Sequence, residues 1–230
     1  MKIHPLIPLL LAAAPALAQS QARLFHAEGT VALSPAGDPE WADSPPRQPL
    51  RKGDRLWADR GSRAELRLGA HVLRMDGETQ VGFTALDDRQ TQLSVTRGVL
   101  RARVLDLAEG ENFELDTPNL ALRAAQAGDY RVDVDAARGT TQVTVHSGSA
   151  TVFGEDGKSL VLKPGQQLAF QGRNLLPVSG APVRPIDAFD HWTAGREIRN
   201  HIQATARYPT REQGAVAAGP TQGILILRER

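Results

Sequence analysis

A glycine-centred unit occurs three times in this chain and confines it to an architecture of strands and corners. With each glycine taken as zero, Gly29, Gly98 and Gly148 have Leu24, Leu93 and Val143 at minus five and His26, Val95 and Val145 at minus three. Val31, Leu100 and Ala150 follow at plus two, then Leu33, Ala102 and Val152 at plus four. Apolar residues therefore fall at every second position on both sides of a residue that tolerates a sharp corner, the pattern of strand, glycine turn or bulge, and strand. A second unit recurs as Leu50, Gly53, Leu56 and Leu162, Gly165, Leu168, with a basic residue after the first leucine each time.

Between Leu24 and Phe170 the period stays close to two. Ala64, Leu66 and Leu68 alternate with Arg63, Glu65 and Arg67, which predicts one buried and one solvated face. Similar alternation runs through Phe113 and Leu115, Leu120 and Leu122, Tyr130, Val132 and Val134, and Leu160 and Leu162. Asp156-Gly157, set between Val152-Phe153 and Leu160-Val161, predicts a hairpin turn. The expected fold class is all-β, as a short stack of strands resembling a β-solenoid or as a two-sheet sandwich, with a C-terminal helix and a flexible tail. The unequal repeat spacing leaves both arrangements open.

Two proline-rich stretches punctuate the pattern. Pro39, Pro45, Pro46 and Pro49 make residues 38–49 an exposed loop rather than a central strand. Pro177, Pro182 and Pro185 mark a linker over 176–186, after which Asp187 is placed to cap a helix over 187–207, with Phe189, Trp192, Ile198 and Ile202 roughly on one side. The expected domains are a signal peptide at 1–18, a β domain at 24–175, that linker, the helix, and a flexible tail at 208–230. The signal peptide is read from Lys2, the Leu- and Ala-rich run from Leu6 to Leu17, and the Ala16-Leu17-Ala18 cleavage signature. It predicts a periplasmic or secreted protein. The run is shorter than the roughly 20 residues of a membrane span and is broken by Pro5, Pro8 and Pro15.

Charge is balanced, with 27 basic and 26 acidic side chains dispersed along the chain. A nucleic-acid partner, which needs a concentrated basic face, is not expected. With no cysteine in the sequence, stability rests on packing rather than on disulfides.

Residues 93–170 resemble the FecR domain family. The resemblance is carried by Gly98 followed by Val99 to Val104, by Asp116-Thr117-Pro118, and by Ala127-Gly128-Asp129-Tyr130-Arg131-Val132. The stretch around Gly148 and Leu162-Lys163-Pro164-Gly165-Gln166-Gln167 completes it, while Leu50 to Leu68 and Asp76-Gly77 are similar to the earlier strands of the same domain. Phe189-Asp190-His191-Trp192 through Arg199 is similar to a segment that follows the domain in a group of secreted FecR-domain proteins. The resemblance implies envelope sensing or regulation, tied in the regulators to iron uptake. The regulators also carry a sigma-factor-binding segment and a membrane span, for which this sequence offers no counterpart. Tyr130, after Gly128-Asp129, stands where they commonly have Phe after Gly-Thr.

Chemistry-bearing constellations are sparse. His26, His71, His146, His191 and His201 show none of the short spacings of a metal site and are expected at the surface or its boundary. Asp129, Asp133 and Asp135 share one face of a strand, where solvation explains the alternation as well as a weak cation site would. His146-Ser147-Gly148-Ser149 lacks a nucleophile elbow and is one copy of the structural repeat. No catalytic residue, metal ligand or cofactor is assigned. Trp41 in the proline-rich loop, with Phe189 and Trp192 on the helix, forms the expected partner-binding set. The expected function is a non-enzymatic binding or signal-relay module of the bacterial cell envelope, recognising an envelope protein or surface ligand. The alternative is a carbohydrate or peptidoglycan binding module, against which an aromatic content of 5% counts.

Overall fold

The structure, a computed structural model, describes residues 22–181 and 183–207, with side chains as far as Gln203. The expected signal peptide and the expected tail over 208–230 lie outside the described residues. The chain divides into two compact units, one ending at Arg184 and one beginning at Pro185.

The described residues of the first unit form sixteen strands. They are β1 (Arg23–Glu28), β2 (Val31–Ser34), β3 (Ala42–Asp43), β4 (Arg55–Ala58), β5 (Arg63–Leu68), β6 (His71–Met75), β7 (Thr79–Leu86) and β8 (Gln90–Val104). They continue with β9 (Asn112–Asp116), β10 (Ala121–Ala124), β11 (Gly128–Asp135), β12 (Thr140–Ser147), β13 (Ala150–Phe153), β14 (Ser159–Leu162), β15 (Gln167–Gln171) and β16 (Leu176–Pro177). The fold is all-β with a single helix, as the period-two pattern predicts.

Hydrogen bonding sorts the strands into two ladders that meet in β8. One ladder runs β1-β5-β6-β8-β11-β12-β15-β16 and the other β3-β2-β4-β7-β8-β9-β10-β13-β14. The first half of β8 lies between β7 and β9, and its second half between β6 and β11. Gly98, at φ +86°, is the corner between the halves. Gly29 links β1 of the first ladder to β2 of the second, and Gly148 links β12 to β13 in the same sense, both also at positive φ. The three-fold sequence unit is thus the device by which the chain leaves one ladder for the other.

The second unit of sequence has the same role. Gly53 N–H donates to Phe83 O and Gly165 N–H to Val145 O, each at 2.7 Å, and each turn delivers its chain to the strand it bonds. The residue after each glycine closes the turn: Arg51 N–H donates to Asp54 Oδ2 at 2.8 Å, and Lys163 N–H to Gln166 Oε1 at 2.7 Å.

Cross-strand registers place the alternating apolar residues in continuous rows. Ala64, Met75, Leu100, Val132 and Val143 lie opposite one another in the first ladder, and Leu93, Leu115, Leu122 and Val152 in the second. All are buried in a single apolar cluster drawn from both ladders. Burying each Val, Leu or Met side chain in these rows stabilises the fold by about 1.5–3 kcal/mol relative to exposure, before the entropy of ordering it is subtracted.

Several sequence expectations are corrected in the first unit. Glu65, expected in water, is fully buried because Arg74 lies directly opposite it and donates to its carboxylate at 3.0 Å. His71, expected near the surface, is 3% exposed, packs edge-on against Phe113, and has Nε2 3.0 Å from Glu111 Oε1. Within residues 38–49, Ala42–Asp43 forms a two-residue strand at the edge of the second ladder, a place that prolines tolerate.

The second unit holds the helix α1 (Ala188–Arg207). Asp190 N–H donates to Asp187 Oδ1 at 2.8 Å and Asp187 N–H to Asp190 Oδ2 at 3.1 Å, a reciprocal cap that satisfies two helix-end donors. The expected single apolar side is not found. Phe189 and Trp192 are buried, whereas Ile198 and Ile202 are 62% and 58% exposed. Nine residues at about 100° per residue place Ile198 half a turn away from Phe189.

Candidate functional site

Along β4, β7, the first half of β8, β9, β10 and β13, the residues between the buried ones form the outer face of the second ladder. Register lines up Arg55, Gly82, Ser94 and Asp116 in one row, continued by Ala121 and Phe153. The neighbouring row holds Gln92, Glu114, Arg123 and Thr151. Alternation turns these residues away from the core, and most are half-buried by their neighbours in the row.

Aromatic side chains border this face, each with an arginine set over its ring. The Arg55 guanidinium carbon lies 5.3 Å from the centre of the Trp41 ring, Arg97 lies 5.2 Å from Trp57, and Arg123 lies 5.2 Å from Phe153. Trp57 also donates Nε1–H to Asp59 Oδ1 at 2.6 Å, which fixes its plane. Contacts of this kind are worth about 0.5–1 kcal/mol at exposed sites, enough to order a surface ring without burying it.

At the centre, Gln92 Nε2 donates to Asp116 Oδ2 at 2.7 Å and to Glu114 Oε1 at 3.4 Å. Arg123 grips Glu114 Oε2 through Nε at 3.0 Å and Nη2 at 2.8 Å. Burial raises the Asp116 carboxyl above its ordinary value of 3.8; the Gln92 hydrogen bond opposes this, and the Glu114 charge adds to it.

Of the sequence-predicted partner residues, Trp41 is 40% exposed beside Arg55. Phe189 and Trp192 stack with ring centres 5.9 Å apart on the helix, and both are buried. The aspartates of β11 are each occupied by a guanidinium. Arg101 donates to Asp129 at 2.7 and 2.8 Å, Arg131 to Asp133 at 2.6 Å, and Arg138 to Asp135 at 2.7 Å. Among the described residues no group of three or more His, Cys, Asp or Glu side chains is arranged to hold a metal ion. His146 and Ser147 are exposed and Ser149 is half-buried, around the Gly148 corner.

Reading the sequence alone missed Arg55, Arg97, Gln92, Asp116, Arg123 and Phe153 as one surface. A signal for it is present in the polar members of two alternating runs, Gln90-Gln92-Ser94 and Asn112-Glu114-Asp116. What joins them is the parallel pairing of β8 with β9, which local sequence does not announce.

No helix among the described residues is long and apolar enough to cross a membrane. No curated protein matches the chain. Two crystal structures of a candidate anti-sigma factor from Parabacteroides distasonis are similar to it, at 14% and 15% identity and a TM-score of 0.48 each. The similarity covers 62% and 66% of this chain, and this chain spans 64% and 73% of the respective structures. Residues 54–151, from the turn before β4 to the start of β13, match the family model described as FecR protein. Over residues 54–151 the chain is therefore similar to a FecR domain.

Proposed function

We propose that this protein is a non-enzymatic binding and signal-relay module of the bacterial cell envelope, exported by its N-terminal segment and recognising an envelope protein or surface ligand. The similarity to a FecR domain over residues 54–151 carries the reading. The geometry supports it through the outer face of the second ladder, where rings and polar side chains are held in place by structural partners. A face of this kind recognises a partner without reorganising. Trp41 is its most exposed ring and the first contact to test.

The test is capture from a cell-envelope extract by the full chain, with a partner identified and then reconstituted from purified components. Trp41→Ala is expected to weaken binding about tenfold or more, the effect of losing a central aromatic anchor. Trp192→Ala in the same assay asks whether the helix belongs to the contact surface, as its sequence suggests. Turnover of an ester, glycoside or peptide substrate that is lost on replacing one Ser, His or Asp would overturn the non-enzymatic reading.

The three arginine-held rings bordering a floor of carboxylates, carboxamides and hydroxyls favour one second reading, a carbohydrate or peptidoglycan binding module. Saturable binding to a glycan array, lost in Trp41→Ala and Trp57→Ala, would select it over the protein-relay reading.

A further inference from the structure

Each of the two ladders ends in two edge strands, and the edges are not alike. Beside β1, residues 47–50 cover the edge: Leu24 N–H donates to Gln48 O, Arg47 N–H to Leu24 O and Leu50 N–H to Ala22 O, at 2.8–2.9 Å. At β3 the strand is two residues long and flanked by Pro39, Pro45 and Pro46. At β16 it ends in Pro177, which has no N–H to offer. Covering, shortening and proline are the usual devices against edge-to-edge pairing. The β14 edge, Ser159-Leu160-Val161-Leu162, is covered by no other segment among the described residues and has no proline, bulge or charge between its flanking Lys158 and Lys163, and Leu160 and Val161 are 41% and 56% exposed.

The hydrogen-bonding groups of β14 that meet no partner among the described residues follow from its ladder. Gly154 N–H donates to Lys158 O at 2.9 Å, and register pairs Val152 with Leu160 and Ala150 with Leu162. Because antiparallel pairs alternate, Leu160 and Leu162 turn their backbone groups towards β13, while Ser159 and Val161 turn theirs outward. The far side of β13 agrees. Ala125 N–H donates to Ser149 O at 2.9 Å, and Thr151 and Phe153 face β10 in the same phase.

We infer that β14 pairs with β14 of a second copy of this chain, antiparallel and centred on Leu160 opposite Leu160 of that copy. In this register Ser159 of each copy lies opposite Val161 of the other, so the outward N–H and C=O groups of both residues meet in hydrogen-bonded pairs. Leu160 meets its equivalent at the close, non-hydrogen-bonded position and covers its exposed surface. The contact is isologous and closes after two copies. Lys158 falls opposite Leu162 of the other copy rather than opposite a second lysine, so the register sets no like charges face to face. It joins two ladders into one continuous sheet, and its small area makes the association dependent on concentration.

The chain has no cysteine, so a single introduced thiol reports the register directly. Leu160→Cys in the full mature chain is expected to cross-link under mild oxidation on the order of 100-fold faster than Leu176→Cys. Pairing gives the first thiol a millimolar effective concentration, whereas the second meets its equivalent only by diffusion. Sedimentation of the unsubstituted protein from micromolar to millimolar is expected to show a monomer–dimer equilibrium. Ser159→Pro, which deletes an outward N–H, and Val161→Lys are expected to abolish it with the circular dichroism spectrum unchanged. Equal cross-linking of the two cysteine variants, or a dimer indifferent to Ser159→Pro and Val161→Lys, overturns the inference. A chain monomeric throughout overturns it too, whether the edge is then filled by its own residues 224–227 or by a strand of another protein.

Discussion

Replacing Gly98 by alanine tests whether the corners between ladders are dictated by space as well as by backbone angle. An added Cβ at Gly98 would meet Thr79 Oγ1, lie 2.5 Å from Thr79 Cα and lie 2.7 Å from Glu78 O, so the obstruction is mostly backbone that cannot rotate aside. Holding alanine at φ +86° costs roughly 1–2 kcal/mol. Forcing a methyl group against packed neighbours costs typically 1–3 kcal/mol more. Gly157, in the β13–β14 hairpin, has a similar φ of +79° but nothing within 4 Å of an added Cβ. Gly157→Ala therefore bears only the backbone term, reduced by about 0.4–1 kcal/mol through the lower entropy of the unfolded chain. The same unfolded-chain offset applies to Gly98→Ala, so the expected destabilisations are about 1–4.5 kcal/mol for Gly98→Ala and about 0–1.5 kcal/mol for Gly157→Ala. At about 2–4 °C per kcal/mol for a chain of this size, the midpoints of thermal unfolding followed by circular dichroism should fall by roughly 2–18 °C and by a few degrees at most. Equal losses in the two variants would refute the steric argument and leave conformation alone as the reason for glycine.

Other outcomes follow from the buried polar groups. Glu65→Ala leaves Arg74 buried without its carboxylate and should cost about 3–5 kcal/mol in urea unfolding, most of it recovered in a Glu65→Leu/Arg74→Met double variant. Tyr130 donates its hydroxyl to Gln126 O at 2.6 Å with Ser149 O at 2.9 Å, so Tyr130→Phe should lose about 1–2 kcal/mol while keeping the fold. Asp116 has a raised carboxyl, so the folded chain holds its proton more tightly than the unfolded chain. Its contribution to stability therefore declines as pH rises above 3.8 and levels off beyond the folded value. The stability of the unsubstituted protein minus that of Asp116→Asn should accordingly be smaller at pH 7 than at pH 3, and a larger difference at pH 7 would contradict this assignment.

How far the fold was legible depended on whether a constraint was local. Alternation along Ala64, Leu66 and Leu68 predicted their burial, because a strand facing a core allows no other phase. The glycine units were legible as corners, although only the pairing shows that each moves the chain between ladders. Tyr130 illustrates the limit. Its hydroxyl lies 2.6 and 2.5 Å from where Cβ atoms of Gly128 and Gly148 would stand, so the Gly128–Tyr130 segment and the sequence-distant Gly148 share one corner. Glu65 and His71 were misplaced for a similar reason: their partners, Arg74 and Glu111, come from neighbouring segments and make burial tolerable. The outer face of the second ladder was illegible because parallel pairing of β8 and β9 assembles it. The helix was predicted from Asp187, but its apolar residues were grouped without regard to the half turn between Phe189 and Ile198.

The passage of β8 through both ladders gives the domain a single point of failure. Its fifteen residues supply the middle rungs of each ladder, so neither half has an intact centre once this strand detaches. Loss of order on heating should consequently spread across all sixteen strands in one step, with no stage at which one ladder survives the other.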